Sequence, residues 1–161
     1  MKPVTFVTFS ASGNRIATRS DADECVRVWD VDGIVKESKL LSRKVGSRRG
    51  DDGDHHHPQC IAICTGLPAL NEASACAFGC DGSIICAGTS VHPKHTNTCG
   101  QLKFFQLAEE SSKAGRTSKS KNKPERLDPI LSVGVAPNAS VLGVCWHAKL
   151  NQIAIGTSNG M

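Results

Sequence analysis

An all-β chain built from a repeated four-stranded unit is the fold class that this sequence predicts, and three observations carry the prediction. Apolar residues fall in short bursts separated by long polar stretches, with no helix-period pattern of any length. Gly is frequent, at 15 of 161 residues, as a chain of many turns requires. Three stretches also align without a gap: TFSASGNRIATRS from Thr8, AFGCDGSIICAGT from Ala77 and CWHAKLNQIAIGT from Cys145. In each, an aromatic (Phe9, Phe78, Trp146) is followed seven residues later by Ile (Ile16, Ile85, Ile153) and eleven residues later by a hydroxyl (Ser20, Thr89, Thr157). The units are 69 and 68 residues apart, which points to one supersecondary unit used repeatedly.

Taken in order, the first unit predicts strands at 3–10 and 14–19 around a polar turn, then CVRVWDV at 25–31, where Val26 and Val28 alternate with Arg27 as in a half-buried strand. A fourth burst, QCIAICTG, places a strand at 59–65. The second unit predicts strands at 73–79, 83–89, 101–107 (within GQLKFFQL) and 129–136 (within PILSVGVA). The third predicts 140–147 and 151–157. Four antiparallel strands per unit is the plan of a propeller blade. The chain therefore divides into a blade at 1–72, a second at 73–136 and the first half of a third at 137–161.

RIATRSDADECVRVWDVDG resembles a WD40 repeat, with a small-residue strand, an acidic turn and the Trp29-Asp30 dipeptide closing the third strand. The resemblance implies a partial WD40 β-propeller of about two and a half blades with long polar inserts. It also implies a structural hydrogen-bond set with Thr18 on the second strand, Asp23 or Asp21 in the turn and Trp29 as indole donor; the family's usual His would lie before Met1. The second unit departs from the pattern, with Phe105 in place of the Trp and Ala87 where Thr18 stands, and the third stops before its Trp position. The order CVRVWDV, TGLPAL, GTSVH, GQLKFFQL and WHAKLNQIAIGTSNG is further similar to the closing blades of the gastrulation-defective-1 homologues, a family of nuclear WD repeat proteins. Two and a half blades do not close a ring, so the reading expects a fragment whose remaining blades are missing and whose last strand has an unpaired edge.

The net charge of +4 is unevenly spread. Residues 36–49 hold six basic side chains against Glu37, and residues 111–126 hold six against Glu125. Both stretches fall in the connection from third to fourth strand, at 33–58 and 108–128, so they should leave from one face of neighbouring blades. As polycationic loops they would attract nucleic acid or an acidic protein segment, through Arg43, Lys44, Arg48, Arg49, Lys119, Lys121 and Lys123. The plainer alternative is solvated loops, or localisation signals, that bind nothing in the propeller.

The opening MKPVTFVTFSASG has no apolar core of a secretory signal, so eight cysteines are read as thiols in a reducing compartment rather than as a disulfide framework. No apolar run reaches the ~18 residues of a membrane span. DDGDHHHPQCIAIC gathers metal-binding residue types, but adjacent His side chains in an extended segment point to opposite sides. Its Cys60 and Cys64, alternating with Ile61 and Ile63, read as a buried strand. No metal and no cofactor is expected. Asn138-Ala139-Ser140 matches a glycosylation acceptor but reads as a turn after Pro137, and His147 reads as a strand-end residue rather than a base.

The expectation is a non-enzymatic scaffold in the nucleus or cytoplasm whose loops hold protein partners. Resemblance to the gastrulation-defective-1 family implies nuclear residence and a part in the DNA-damage response, in some members through a cullin-RING ubiquitin ligase adaptor. Adaptor-binding WD40 proteins often carry Arg two residues after the Trp-Asp dipeptide, and Asp32 stands there instead, which argues against docking through this blade. A nucleic-acid or RNA-processing role through the basic inserts is the second reading, and a metal or Cys/His enzyme the third.

Overall fold

The computed structural model describes residues 2–31, 59–69, 74–91, 98–108 and 124–160. Strands β1 (Phe6–Phe9), β2 (Arg15–Ser20), β3 (Cys25–Asp30) and β4 (Cys60–Cys64) pair in chain order as an antiparallel sheet, the first blade. A single 3₁₀ turn, Asp21–Asp23, joins β2 to β3 and ends on Glu24 in the left-handed region.

The second repeat forms β5 (Cys76–Phe78), β6 (Ile84–Gly88) and β7 (Cys99–Gln106). The chain then makes β8 (Glu125–Leu127), which lies outside its own blade and pairs in parallel with β4, Ala62 opposite Glu125 and Cys64 opposite Leu127. It returns as β9 (Leu131–Pro137), antiparallel to β7. β10 (Val141–Trp146) and β11 (Ile153–Thr157) form a two-stranded sheet, the start of a third blade.

β8 departs from the sequence expectation of a wholly polar insert at 108–128. Three residues with one apolar side chain carry no alternation to detect. Their strand character comes from the free outer edge of β4 and from Leu127, which packs against the core.

Residues paired across an antiparallel ladder share a face, so the register sorts the side chains into rows. Phe9, Ile16 and Trp29 form one row in the first blade, and Phe78, Ile85 and Phe105 form the same row in the second. Trp146 opposite Ile153 begins it in the third. The reverse faces carry mostly smaller side chains: Ala17, Val28 and Ala62, then Ala77 and Cys86, then Cys145 and Ala154. The interface between the first two blades therefore sets a row of large side chains on a row of smaller ones; at the next one the row of Ala77 and Cys86 continues into Phe104, which meets Trp146 edge-on. One core, between the first two blades, is built on Val26, Val28, Leu67, Ile85 and Phe105; the other, between the second and third, on Cys86, Leu102, Ala136, Val141 and Val144.

Candidate functional site

Where the first two blades meet at their turn face, the surface opens into a cleft of about 280 Å³, lined by Ser12, Asn14, Arg15, Asp81, Gly82, Ser83, Leu107 and Ala108. Two equivalent turns build it. Gly13 and Gly82, one in each repeat, both sit at positive φ, +74° and +72°, a conformation that favours Gly. Each turn closes through a backbone bond, Gly13 N to Ser10 O at 2.9 Å and Gly82 N to Gly79 O at 3.0 Å.

Side chains then fix the turns. Ser10 Oγ accepts from Arg15 N at 3.0 Å and donates to Asn14 Oδ1 at 3.0 Å. Asp81 accepts from Ser83 N at 2.9 Å and from the Ser83 hydroxyl at 2.8 Å. Those two bonds, the backbone one first, hold the Asp81 carboxyl below its ordinary value. Arg15 crosses between the blades, its Nη1 donating to Gly82 O at 2.9 Å. The lining thus offers a guanidinium, a carboxylate and hydroxyls in a fixed frame, but none of its residues is a His, Cys or Lys. It can hold a hydrogen-bonding segment.

Both inserts depart beside this cleft. Val31 N donates to Asn14 O at 2.9 Å just before the first, and Leu107 N donates to Ser83 O at 2.7 Å just before the second. The residues expected to bind a polyanion, Arg43, Lys44, Arg48, Arg49, Lys119, Lys121 and Lys123, lie outside the described residues, as do Asp32 and His55–His57.

Thr18 and Trp29 come together: Trp29 Nε1 donates to Thr18 Oγ1 at 2.8 Å. Asp23 does not join them. It accepts from Arg27 Nη2 at 2.8 Å and lies 3.4 Å from Lys2 Nζ, and the Arg27 bond is the main reason its carboxyl sits below the ordinary value. The buried carboxylate of the turn is Asp21, reached by Arg19 Nε at 3.0 Å. Arg19 is itself fully buried, and its Nη1 donates to Gly88 O of the second blade at 2.7 Å. This inter-blade staple was missed by sequence reasoning, because a charged residue between Thr18 and Ser20 looks solvent-facing; strand alternation with the buried Ala17 was the signal that could have found it.

Other singled-out residues have structural places. His147 Nδ1 accepts from Lys149 N and Leu150 N and ties the β10–β11 turn. Asn138 occupies a turn at φ +53°. All eight cysteines are free thiols; burial pushes Cys64, Cys76 and Cys86 up to about 12, whereas Cys80 and Cys145 are exposed.

The chain superimposes on Sqt1 of Chaetomium thermophilum with a TM-score of 0.54 at 19% identity, over 97% of this chain and 30% of that one. It superimposes on the β-propeller domain of Cps50 (Swd1) from Myceliophteria thermophila with a TM-score of 0.52 at 12% identity, over 98% and 37%. The fold is part of a β-propeller. Among curated sequences it is similar to WD repeat-containing protein 70 of Xenopus tropicalis, 28% identical over 155 residues, and to the human protein of that name, 31% identical over 97 residues. Those alignments cover 96% and 60% of this chain but 18% and 12% of the relatives, so the chain spans less than a fifth of their length. No protein-family model matches it.

Proposed function

We propose that this chain is part of a non-enzymatic WD repeat scaffold and that the cleft between the β1–β2 and β5–β6 turns receives a loop or tail of a protein partner. The observation that carries the reading is the cleft itself: a polar concavity with Arg15 and Asp81 in its lining, built from equivalent turns of two blades. Complementary charge across such a rim selects partners and speeds encounter. A photo-reactive residue placed at Ser12 or at Ser83 should capture the same partner from nuclear extract, and Arg15→Glu should reduce both captures at least tenfold without lowering the melting temperature by more than a few degrees. Unrelated captures from the two positions, or captures unchanged by Arg15→Glu, would refute the site.

The finer part of the proposal is nuclear residence and a role in the DNA-damage response or in ubiquitin-ligase assembly, including contact with a cullin-RING adaptor. Its support is the resemblance of WHAKLNQIAIGTSNG and the preceding segments to the gastrulation-defective-1 family. Imaging of the tagged chain tests it, with cytoplasmic retention before and after DNA damage as the contrary result. A second reading, nucleic-acid binding, is favoured by the two inserts of six cations each that leave beside the cleft. It predicts retention on RNA or DNA that falls steeply with salt.

A further inference from the structure

Outside the cleft, β8 is the segment whose place the repeat does not explain. By sequence it belongs to the second blade's connection from β7 to β9, yet it lies along the outer edge of β4 in the first blade, parallel to that strand. β4 is the fourth strand of its blade, and its residues read Cys-Ile-Ala-Ile-Cys, with no charge, Pro or Gly. An edge of that composition is a template for pairing with a further strand. Just past β4, Thr65 N donates to Leu127 O at 3.2 Å. Backbone groups two residues apart point to the same side of a strand, so Ile63 N faces this edge as well.

β8 carries the features that blunt an edge. It is 3 residues long, Pro124 precedes it, Pro129 follows soon after, and Glu125 and Arg126 are exposed. Pro lacks the N–H that would extend the ladder, and charged side chains on an outer strand discourage further pairing. Leu127 alone turns inward, half-buried against the core between the first two blades.

From this combination we infer that β8 is a guard: it occupies the β4 edge in place of a second copy of this chain, and once β8 is displaced two copies pair β4 to β4. The sequence of the edge specifies that occupant. Cys60–Cys64 reads the same in both directions, so an antiparallel two-fold pairing centred on Ala62 sets Ile61 of each copy opposite Ile63 of the other, with no charge in the contact. No residue of β4 or β8 lines the cleft, so the guard stands or falls apart from the cleft reading.

The test is residue-resolved hydrogen exchange on the 161-residue chain, in dilute and in concentrated solution. Leu127→Ser removes the inward anchor without burying a charge. Glu125→Pro keeps that anchor and removes an N–H that faces β4. In dilute solution either change should speed exchange at Ile63 and Thr65 by about tenfold or more, while Ala62 and Cys64, paired with Val28 and Val26 of β3, stay protected and show the blade still folded. In concentrated solution both variants should regain protection at Ile63 and Thr65 and sediment as dimers, and adding Ile63→Lys, which charges the edge, should abolish that gain. Association through any other surface leaves these two amides fast. Exchange that stays fast on concentration, protection regained despite Ile63→Lys, or Ile63 and Thr65 as slow in the dilute variants as in the parent chain would overturn the proposal.

Discussion

The first and second blades place the same row of side chains in opposite surroundings. Phe78, Ile85 and Phe105 are 7%, 0% and 0% exposed, pressed on the small-residue face of the first blade. Phe9, Ile16 and Trp29 hold the same register, yet Phe9 is 62% exposed and Val7, two residues away on the same face, is 51% exposed. Identical patterning thus produces a core in one place and a bare apolar surface in the other. The difference teaches that a blade's sequence encodes a face to be covered, while burial depends on whether a neighbour covers it.

The polar chemistry follows the same division. In the first blade the Trp29 indole has Thr18 as its acceptor; in the second the matching pair is Phe105 and Ala87, with donor and acceptor both gone. Removing both partners of a buried hydrogen bond is nearly neutral, whereas removing one leaves a costly orphan. At this pair of positions the covered row is therefore apolar, and the uncovered one retains its hydrogen bond.

The sharpest way to break the comparison is to truncate both rows. Phe105→Ala should cost about 3–5 kcal/mol in urea unfolding, as aromatic truncations in cores do, and Phe9→Ala less than about 1 kcal/mol, as for surface changes. Equal losses would mean that Phe9 is covered in solution. Close behind is the staple between the two blades. Arg19→Ala leaves Asp21 buried without its partner and should cost about 3–5 kcal/mol, while joint replacement, Arg19→Met with Asp21→Ala, should recover most of it.

Alkaline pH separates the buried thiols from the exposed ones. Cys64, Cys76 and Cys86 sit at about 12 in the folded protein against an ordinary value of 9.0. Above pH 9 the unfolded chain releases protons that the folded chain keeps. Stability is therefore full below pH 9 and falls as pH rises from 9 toward 12, by about 1.4 kcal/mol per pH unit for each thiol. Denaturation at pH 8 and 10 checks this, and in the folded protein Cys80 and Cys145 should be the first thiols alkylated. A flat profile would show that the inter-blade cores admit water.

Smaller effects sharpen the polar contrast. Thr18→Ala should cost about 0.5–1.5 kcal/mol by taking away the Trp29 acceptor, and adding Trp29→Phe, which recreates the second blade's pair, should return part of that. Trp146 has a buried Nε1 without a hydrogen-bond partner among the described residues, at the position where the other repeats carry Phe9 and Phe78. Trp146→Phe should raise stability by up to about 1 kcal/mol, the orphaned donor outweighing the lost ring area. A loss above that size would mean that the larger ring is needed against Phe104.

Period-2 alternation and the gapless repeat made the strands legible, because each blade must bury one face and that demand is written in the side chains. The β1–β2 and β5–β6 turns were legible for a similar reason, as Gly13 and Gly82 mark left-handed positions. The cleft was not, since Arg15 and Asp81 are 66 residues apart and carry no shared pattern. Asp23 and Asp21 show the limit at finer scale: two carboxylates in one turn, of which only packing decides that Asp21 is buried beside Arg19 while Asp23 stays at the surface with Arg27.

By itself, the sequence determined the class of fold, the repeated unit and the row of aromatic and Ile side chains that each unit presents, because local periodicity and turn chemistry depend only on near neighbours in the chain. Tertiary structure alone decided which copy of that row is buried, where Arg19 finds its partners, and that Glu125–Leu127 becomes a strand on the blade before its own. Each of those outcomes rests on a contact between distant segments, and its energy comes from surfaces that meet only when the blades are stacked.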